Sequence, residues 1–583
     1  MRVIIFALAL ILSVPATASS TDDFRKLLDD HWAWAMKGDP VTATALGIRA
    51  YDAILADISL KAADARAAEA AAFLKRLDAI PPAALTPEDR INRDILKRML
   101  EEQIEANSFG QRTILFTNRD GFHQTMAGLA DLVPLRTRAD YESYLARLAR
   151  YPAQNDEAIR ITEQAIAKGY TLPCEAMTGF EKSIAGVITE DPARSRFYEP
   201  FTRPRPAGIT EAEWAAMQAR AKSLITGQLN PAYAKFARFY ASRYQPKCSK
   251  SVSVRAEPGG AKYYAFRVRQ MTTTSLTPDA IHQIGLNEVA RIRAEMDAVA
   301  KKAGAPSREA YIRQLRTDPI YYAKTPEDLM RAAARMAKTL DGRMPAFFAR
   351  LPRLPYGVKE VPAETAEGTT TAYYQPGSPE TGIAGFYYVN TSKLDQRPLW
   401  ELPALTAHEA VPGHHNQIAI QQELDLPRFR RHLAFFTAFI EGWGLYAERL
   451  GMEMGIYDTP EKEMGRLSYE MWRACRLVVD TGIHAKGWPK ARAIAFMTEN
   501  TALSPANIEA EVNRYIAWPG QALAYKIGEL KIRELRARAE KALGPKFDLR
   551  SFHDAVLGQG AVPLDLLEAQ IDAWIAAEQA GKQ

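Results

Sequence analysis

The sequence predicts a mainly α protein carrying a small β-sheet. Apolar residues recur at three- and four-residue intervals through most of the chain. Proline and glycine clusters such as "FYEPFTRPRPAG" (198–208) cut this pattern into helix-length pieces. Only two patches change to the alternation and β-branched content of strands. With 583 residues, the chain is too long for one simple core, and two or more lobes are expected.

Residues 1–18 read as an export leader. Arg2 precedes an apolar stretch from Val3 to Val14, and Ala16-Thr17-Ala18 fits a small-residue cleavage site. The stretch is short for a membrane span and runs into the polar "STDDF". With no cysteine near this junction, a lipid anchor is not expected. The expected protein is exported, periplasmic or extracellular, and free of the membrane once the leader is removed.

Residues 19–249 read as an N-terminal helical lobe rich in Ala, Leu, Arg and Glu. Residues 250–583 read as a second, site-bearing lobe. It opens on "SVSVRAEPGG" and "KYYAFRVRQMTTT", which look like short strands. Next comes a helix capped by Thr277, with Pro278 at its first position and a stripe of Ile281, Ile284, Val289, Ile292, Met296 and Val299. "TTTAYYQPGSPETGIAGFYYVNT" (369–391) reads as a hairpin with a loop near 376–383. Its edge is placed to hold an extended peptide.

Composition excludes some classes. The net charge of +6 is spread over both signs with no run of like charge, so nucleic acid is not an expected partner. Three cysteines cannot form a disulfide framework, and there is no C-x-x-C metal motif. Cys174 and Cys248 either pair or stay as buried thiols; Cys475 reads as buried on a helix.

The chemistry concentrates in "TAHEAVPGHHNQ" (406–417). His-Glu begins the zinc pattern H-E-x-x-H, in which two histidines one turn apart grip zinc beside a basic glutamate. Position 412, where the second histidine belongs, is proline, and its ring forces a helix to kink or bulge there. On an unbroken helix, His414 would lie about 600° of turn from His408, and His415 would return to the same face roughly 10 Å along. A Pro-Gly bulge that absorbs two residues instead places His414 in the usual slot. His414 is therefore favoured, with His415 kept as a possible ligand or supporting donor. Three of the nine histidines fall within eight residues, which argues against accident.

A third ligand is available. "FRRHLAFFTAFIEGWGLYAERLGMEMG" (429–455) reads as one helix with Glu441 inside its apolar neighbourhood. A carboxylate there is costly unless a cation meets it. Glu448, seven residues on, shares its face. On the next helix Arg473, Arg476, Asp480 and His484 also share a face. Asp480 is expected to fix the His484 tautomer, and Arg476 to hold a substrate carboxylate or pair with Glu448. A second helix break at Pro519-Gly520 is flanked by Tyr515 and Tyr525.

"HEAVPGHH", "EGWGLYAE", "DTGIHAKGW" and "WPGQALAYKIG" resemble the bacterial family called domain of unknown function 885. The resemblance implies a large helical zincin-like metallopeptidase with the small sheet beside the zinc helix, similar to angiotensin-converting-enzyme and thimet-oligopeptidase types. It implies one Zn2+ on His408, His414 and Glu441, with Glu409 as the base. It also implies a late tyrosine and histidine as oxyanion donors, Tyr525 first and His484 second, with Tyr515 and Arg476 toward substrate. The expected activity is hydrolysis of short peptides by Glu-assisted attack of a zinc-bound water. The rival readings are a zinc hydrolase of another amide or ester, and a peptide-binding protein on the same scaffold without chemistry.

Overall fold

The computed structural model describes residues 16–366 and 369–581. Most of the leader, residues 1–15, lies outside the described residues. The protein is mainly α, with one three-stranded sheet. The helices that carry the site are α1 (Pro278–Lys302), α2 (Leu402–Glu409), α3 (His414–Glu423), α4 (Thr437–Leu450), α5 (Pro460–His484), α6 (Pro505–Ala517) and α7 (Ala524–Leu543).

α1 forms as its sequence dictates. The Thr277 hydroxyl accepts from the Ala280 amide at 3.2 Å, Pro278 occupies the first turn, and Ile281, Val289, Ile292, Met296 and Val299 are buried. This face packs along α5, whose residues from Met464 to His484 are all buried. A helix buried on every side must find partners within the protein for its charges, and its three arginines do so. Arg466 pairs with Glu470 at 2.9 Å, Arg473 with Glu448 at 2.9 Å and Arg476 with Glu511 at 2.7 Å.

α4 and α7 cross in close contact. A Cβ on Gly528 would lie 1.8 Å from the Ala438 carbonyl oxygen, so only glycine permits this approach. The crossing brings the start of α7, with Tyr525, up to the middle of α4.

The sheet is made of β1 (Tyr356–Glu360), β2 (Ala372–Gln375) and β3 (Gly385–Val389), in the order β1-β3-β2. β1 runs parallel to β3, and β2 forms the expected hairpin with it. α2 packs against β2, and the Tyr387 hydroxyl on β3 lies 3.4 Å from the Thr406 hydroxyl on α2.

Two sequence expectations are corrected. The strands expected just after residue 250 are absent; Gly260–Thr272 is an α-helix burying Gly260, Tyr264, Phe266, Val268 and Thr272. Packing overrides the strand propensity of Tyr, Phe and Val there. The single helix expected over 429–455 is two, Arg428–His432 and α4. The Gln421 side-chain amide donates to the carbonyls of Arg430 at 2.8 Å and Ala434 at 3.2 Å. It supplies partners that a continuing helix would otherwise provide.

Apolar packing joins Phe24, Leu96 and Leu100 to Phe439, Trp443 and Leu535 in one core, while Phe116 to Cys248 form a core of their own. That second core is closed by the Cys174–Cys248 disulfide, and Cys475 is free and buried.

Candidate metal centre

α2 ends at Glu409, and the chain leaves helical geometry at Ala410, where φ is −95° and ψ is −117°. Pro412 lacks the amide proton that a continued helix needs and its ring crowds the preceding turn, and α3 starts afresh at His414. The segment is thus a full break rather than a bulge in one helix. Trp443 fixes it to α4 by donating from its indole nitrogen to the Pro412 carbonyl at 2.8 Å.

The break turns His408 and His414 toward one carboxylate. His408 Nε2 lies 3.5 Å from Glu441 Oε2, and His414 Nε2 lies 3.3 Å from the same oxygen. The ligand-capable atoms of these three residues all lie within 4.8 Å of one another. Glu441 Oε2 is buried without a hydrogen-bond donor. Burial opposes its charge, but the two imidazoles hold its carboxyl well below the usual range.

The other side of His408 is also occupied. Its Nδ1 lies 2.8 Å from Glu448 Oε1, which Arg473 approaches at 2.9 Å. These are close charge contacts rather than well-aligned hydrogen bonds. Burial would lower the His408 pKa, but Glu441, Glu448 and Glu409 together raise it to about 9. A Cβ on Gly444 would lie 2.7 Å from the His408 ring, so glycine makes room for the imidazole.

Glu409 is 8% exposed, and its carboxylate has no hydrogen bond or ion pair among the described residues. A buried carboxylate without a structural partner is free for proton transfer. Tyr525 stacks on His408 with ring centroids 6.3 Å apart. Its hydroxyl accepts from Arg514 at 2.8 Å and from Gln521 at 3.4 Å. A phenol that accepts both ways keeps its own proton to donate.

Three expectations are corrected here. His415 points away from the cluster: its Nδ1 meets the Tyr374 hydroxyl at 2.9 Å, its ring packs on Tyr356, and burial lowers its pKa to about 4. His484 has both nitrogens engaged within the fold, Nδ1 accepting from the Val254 amide at 3.2 Å and Nε2 facing the Tyr515 carbonyl at 2.9 Å. It cannot donate to a reacting oxygen. Asp480 does not orient His484; it accepts from the Tyr264 hydroxyl at 2.7 Å and the Gly520 amide at 3.0 Å.

Arg476 pairs with Glu511 instead of Glu448, and its Nε donates to the Tyr515 hydroxyl at 3.0 Å. Tyr515 also accepts from Trp472 at 2.9 Å, so its hydroxyl supports this network. Sequence reasoning missed Arg473 as the partner of Glu448 and Gly444 as the residue that admits His408. The repeated glycine of "EGWG", three residues after Glu441, is a signal for the second.

A family model described as bacterial protein of unknown function matches residues 40–571. The chain belongs to this family, DUF885. No curated protein matches it. The chain is similar to a solved structure described as "the putative lipoprotein from Colwellia psychrerythraea", at 27% identity and a TM-score of 0.88, covering 96% of this chain and 99% of that one. A second structure, described as "a putative lipoprotein of unknown function from Shewanella oneidensis", shares 19% identity and a TM-score of 0.65, covering 94% and 99%, and so shares the fold. No helix among the described residues is long and apolar enough to cross a membrane.

Proposed function

We propose that this DUF885 protein is an exported zinc-dependent peptidase of the zincin-like type, periplasmic or extracellular, acting on short peptides. One observation carries the reading: a carboxylate oxygen 3.5 and 3.3 Å from two imidazole nitrogens. Atoms bound to one tetrahedral zinc at about 2.0–2.2 Å stand roughly 3.3–3.6 Å apart. The donor set of two histidines and one carboxylate also suits zinc. Glu441 Oε2 is buried and accepts no hydrogen bond, which leaves its lone pairs for a cation. The disulfide and the leader motif favour an oxidising compartment.

His408, His414 and Glu441 would hold the ion, and Glu448 would orient His408 from behind. The ion supplies Lewis acidity toward a carbonyl and makes water more acidic. Glu409 takes a proton from the attacking water and returns it to the leaving amine. Tyr525 donates a hydrogen bond from its hydroxyl to the carbonyl oxygen as charge develops there.

A Glu409→Gln variant tests this. It keeps bound zinc and loses about 10²–10⁴ of short-peptide turnover. Unchanged turnover in that variant refutes the assignment.

A further inference from the structure

Behind Tyr525 lies a cluster that the chemistry above does not use. Arg119, Arg476 and Arg514 converge on one carboxylate, Glu511, at 3.7, 2.7 and 3.5 Å. Glu511 is fully buried, Arg476 is 2% exposed and Arg514 is 9% exposed. Three guanidinium groups face a single carboxylate in a mostly buried place. Arg119 Nη1, Arg476 Nη1 and Arg514 Nε are buried with no hydrogen-bond acceptor. Burial pulls Arg119 down to about 10, so it stays charged at neutral pH. One carboxylate does not balance three guanidinium charges, although Arg514 also donates to the Gln521 side chain at 2.7 Å, and excess buried charge is expensive without a further anion to meet it.

The cluster borders the metal centre through one ring. Arg514 donates to the Tyr525 hydroxyl at 2.8 Å, the Arg476 guanidinium lies 4.2 Å from the Tyr525 ring centroid, and that ring stacks on His408. Arg119 comes from the N-terminal half, on a turn closed by the Thr117 amide to the Asp120 carbonyl at 2.8 Å. Its side chain is 18% exposed, the most accessible of the three.

We propose that Arg119, Arg476 and Arg514 form a carboxylate-binding subsite that takes the free C-terminus of a short peptide. This rests on the peptidase reading for its meaning, though not for its detection. Guanidinium groups recognise carboxylates by paired charge-assisted hydrogen bonds.

Calorimetry on the zinc-supplemented Glu409→Gln protein, which avoids turnover, tests the proposal. The probes are N-acetyl-Ala-Ala as the free acid, its C-terminal amide, and N-acetyl-Ala-Asp amide, whose only carboxylate is on the side chain. The acid is expected to bind at least tenfold tighter than its amide. Adding Arg119→Leu removes that preference, while Arg119→Lys retains part of it; thermal melts check that both fold. If the Asp amide matches the acid, the subsite stands with a side-chain carboxylate as its ligand. Equal binding of all three probes, no binding of any, or a preference unchanged by Arg119→Leu overturns it. Acid preference without peptide hydrolysis by wild type keeps the subsite and sinks the peptidase reading. Hydrolysis indifferent to amidation does the reverse.

Discussion

His408 Nδ1 lies 2.8 Å from Glu448 Oε1. That contact places the Nδ1 proton toward Glu448 and leaves Nε2 for Glu441 and the proposed ion. A carboxylate behind a ligating imidazole fixes its tautomer and raises its basicity. Glu448→Gln keeps the shape and removes the charge. It should weaken zinc binding by roughly 10- to 100-fold, read by competition with a chelator of known affinity. Unchanged affinity would remove Glu448 from the account.

Gly444 tests the packing around the same ring. A Cβ there meets His408 at 2.7 Å, so Gly444→Ala must push the imidazole out of place. We expect a stability loss of about 1–3 kcal/mol in chemical denaturation. Zinc affinity should fall together with it. A variant with both properties intact would show that the ring has room to spare.

His484 gives a prediction in pH. Burial lowers its pKa from 6.5 to about 4, and the hydrogen bond to the Tyr515 carbonyl only partly offsets this. Between these values the unfolded chain binds a proton that the folded protein refuses. His484 therefore costs nothing above pH 6.5 and destabilises increasingly as pH falls toward 4. His484→Gln lacks this liability. Its stability relative to wild type should improve by on the order of 3 kcal/mol between pH 7 and pH 4. A pH-independent difference between the two proteins contradicts the burial of a neutral ring.

Much of this architecture was legible in the sequence because it depends on local rules. The cap and stripe of α1, the β2–β3 hairpin and the interruption of regular helix at Pro412 all follow from neighbouring residues. The preference for His414 over His415 rests on a bulge absorbing two residues; the chain instead breaks and restarts, and that restart sets His414 toward Glu441 and His415 toward Tyr374. What stayed hidden depends on distant partners. Gln421 divides the helix expected over 429–455 by capturing its carbonyls. The stripe on α5 was readable as a stripe, but not which arginine would meet Glu448, because that depends on how α4 crosses it. Arg119 reaches Glu511 across almost four hundred residues of sequence, and no spacing rule could bring them together.

The central claim is that a broken helix turns two imidazoles onto one carboxylate to hold a single zinc ion. Zinc titration with elemental analysis of wild type and of the His408→Ala, His414→Ala, His415→Ala and Glu441→Ala variants tests it most directly. The account predicts one tightly held zinc in wild type and in His415→Ala, and its loss in the other three. A wild-type protein that binds no zinc, or a zinc ion that survives removal of Glu441 and leaves with His415, would contradict it.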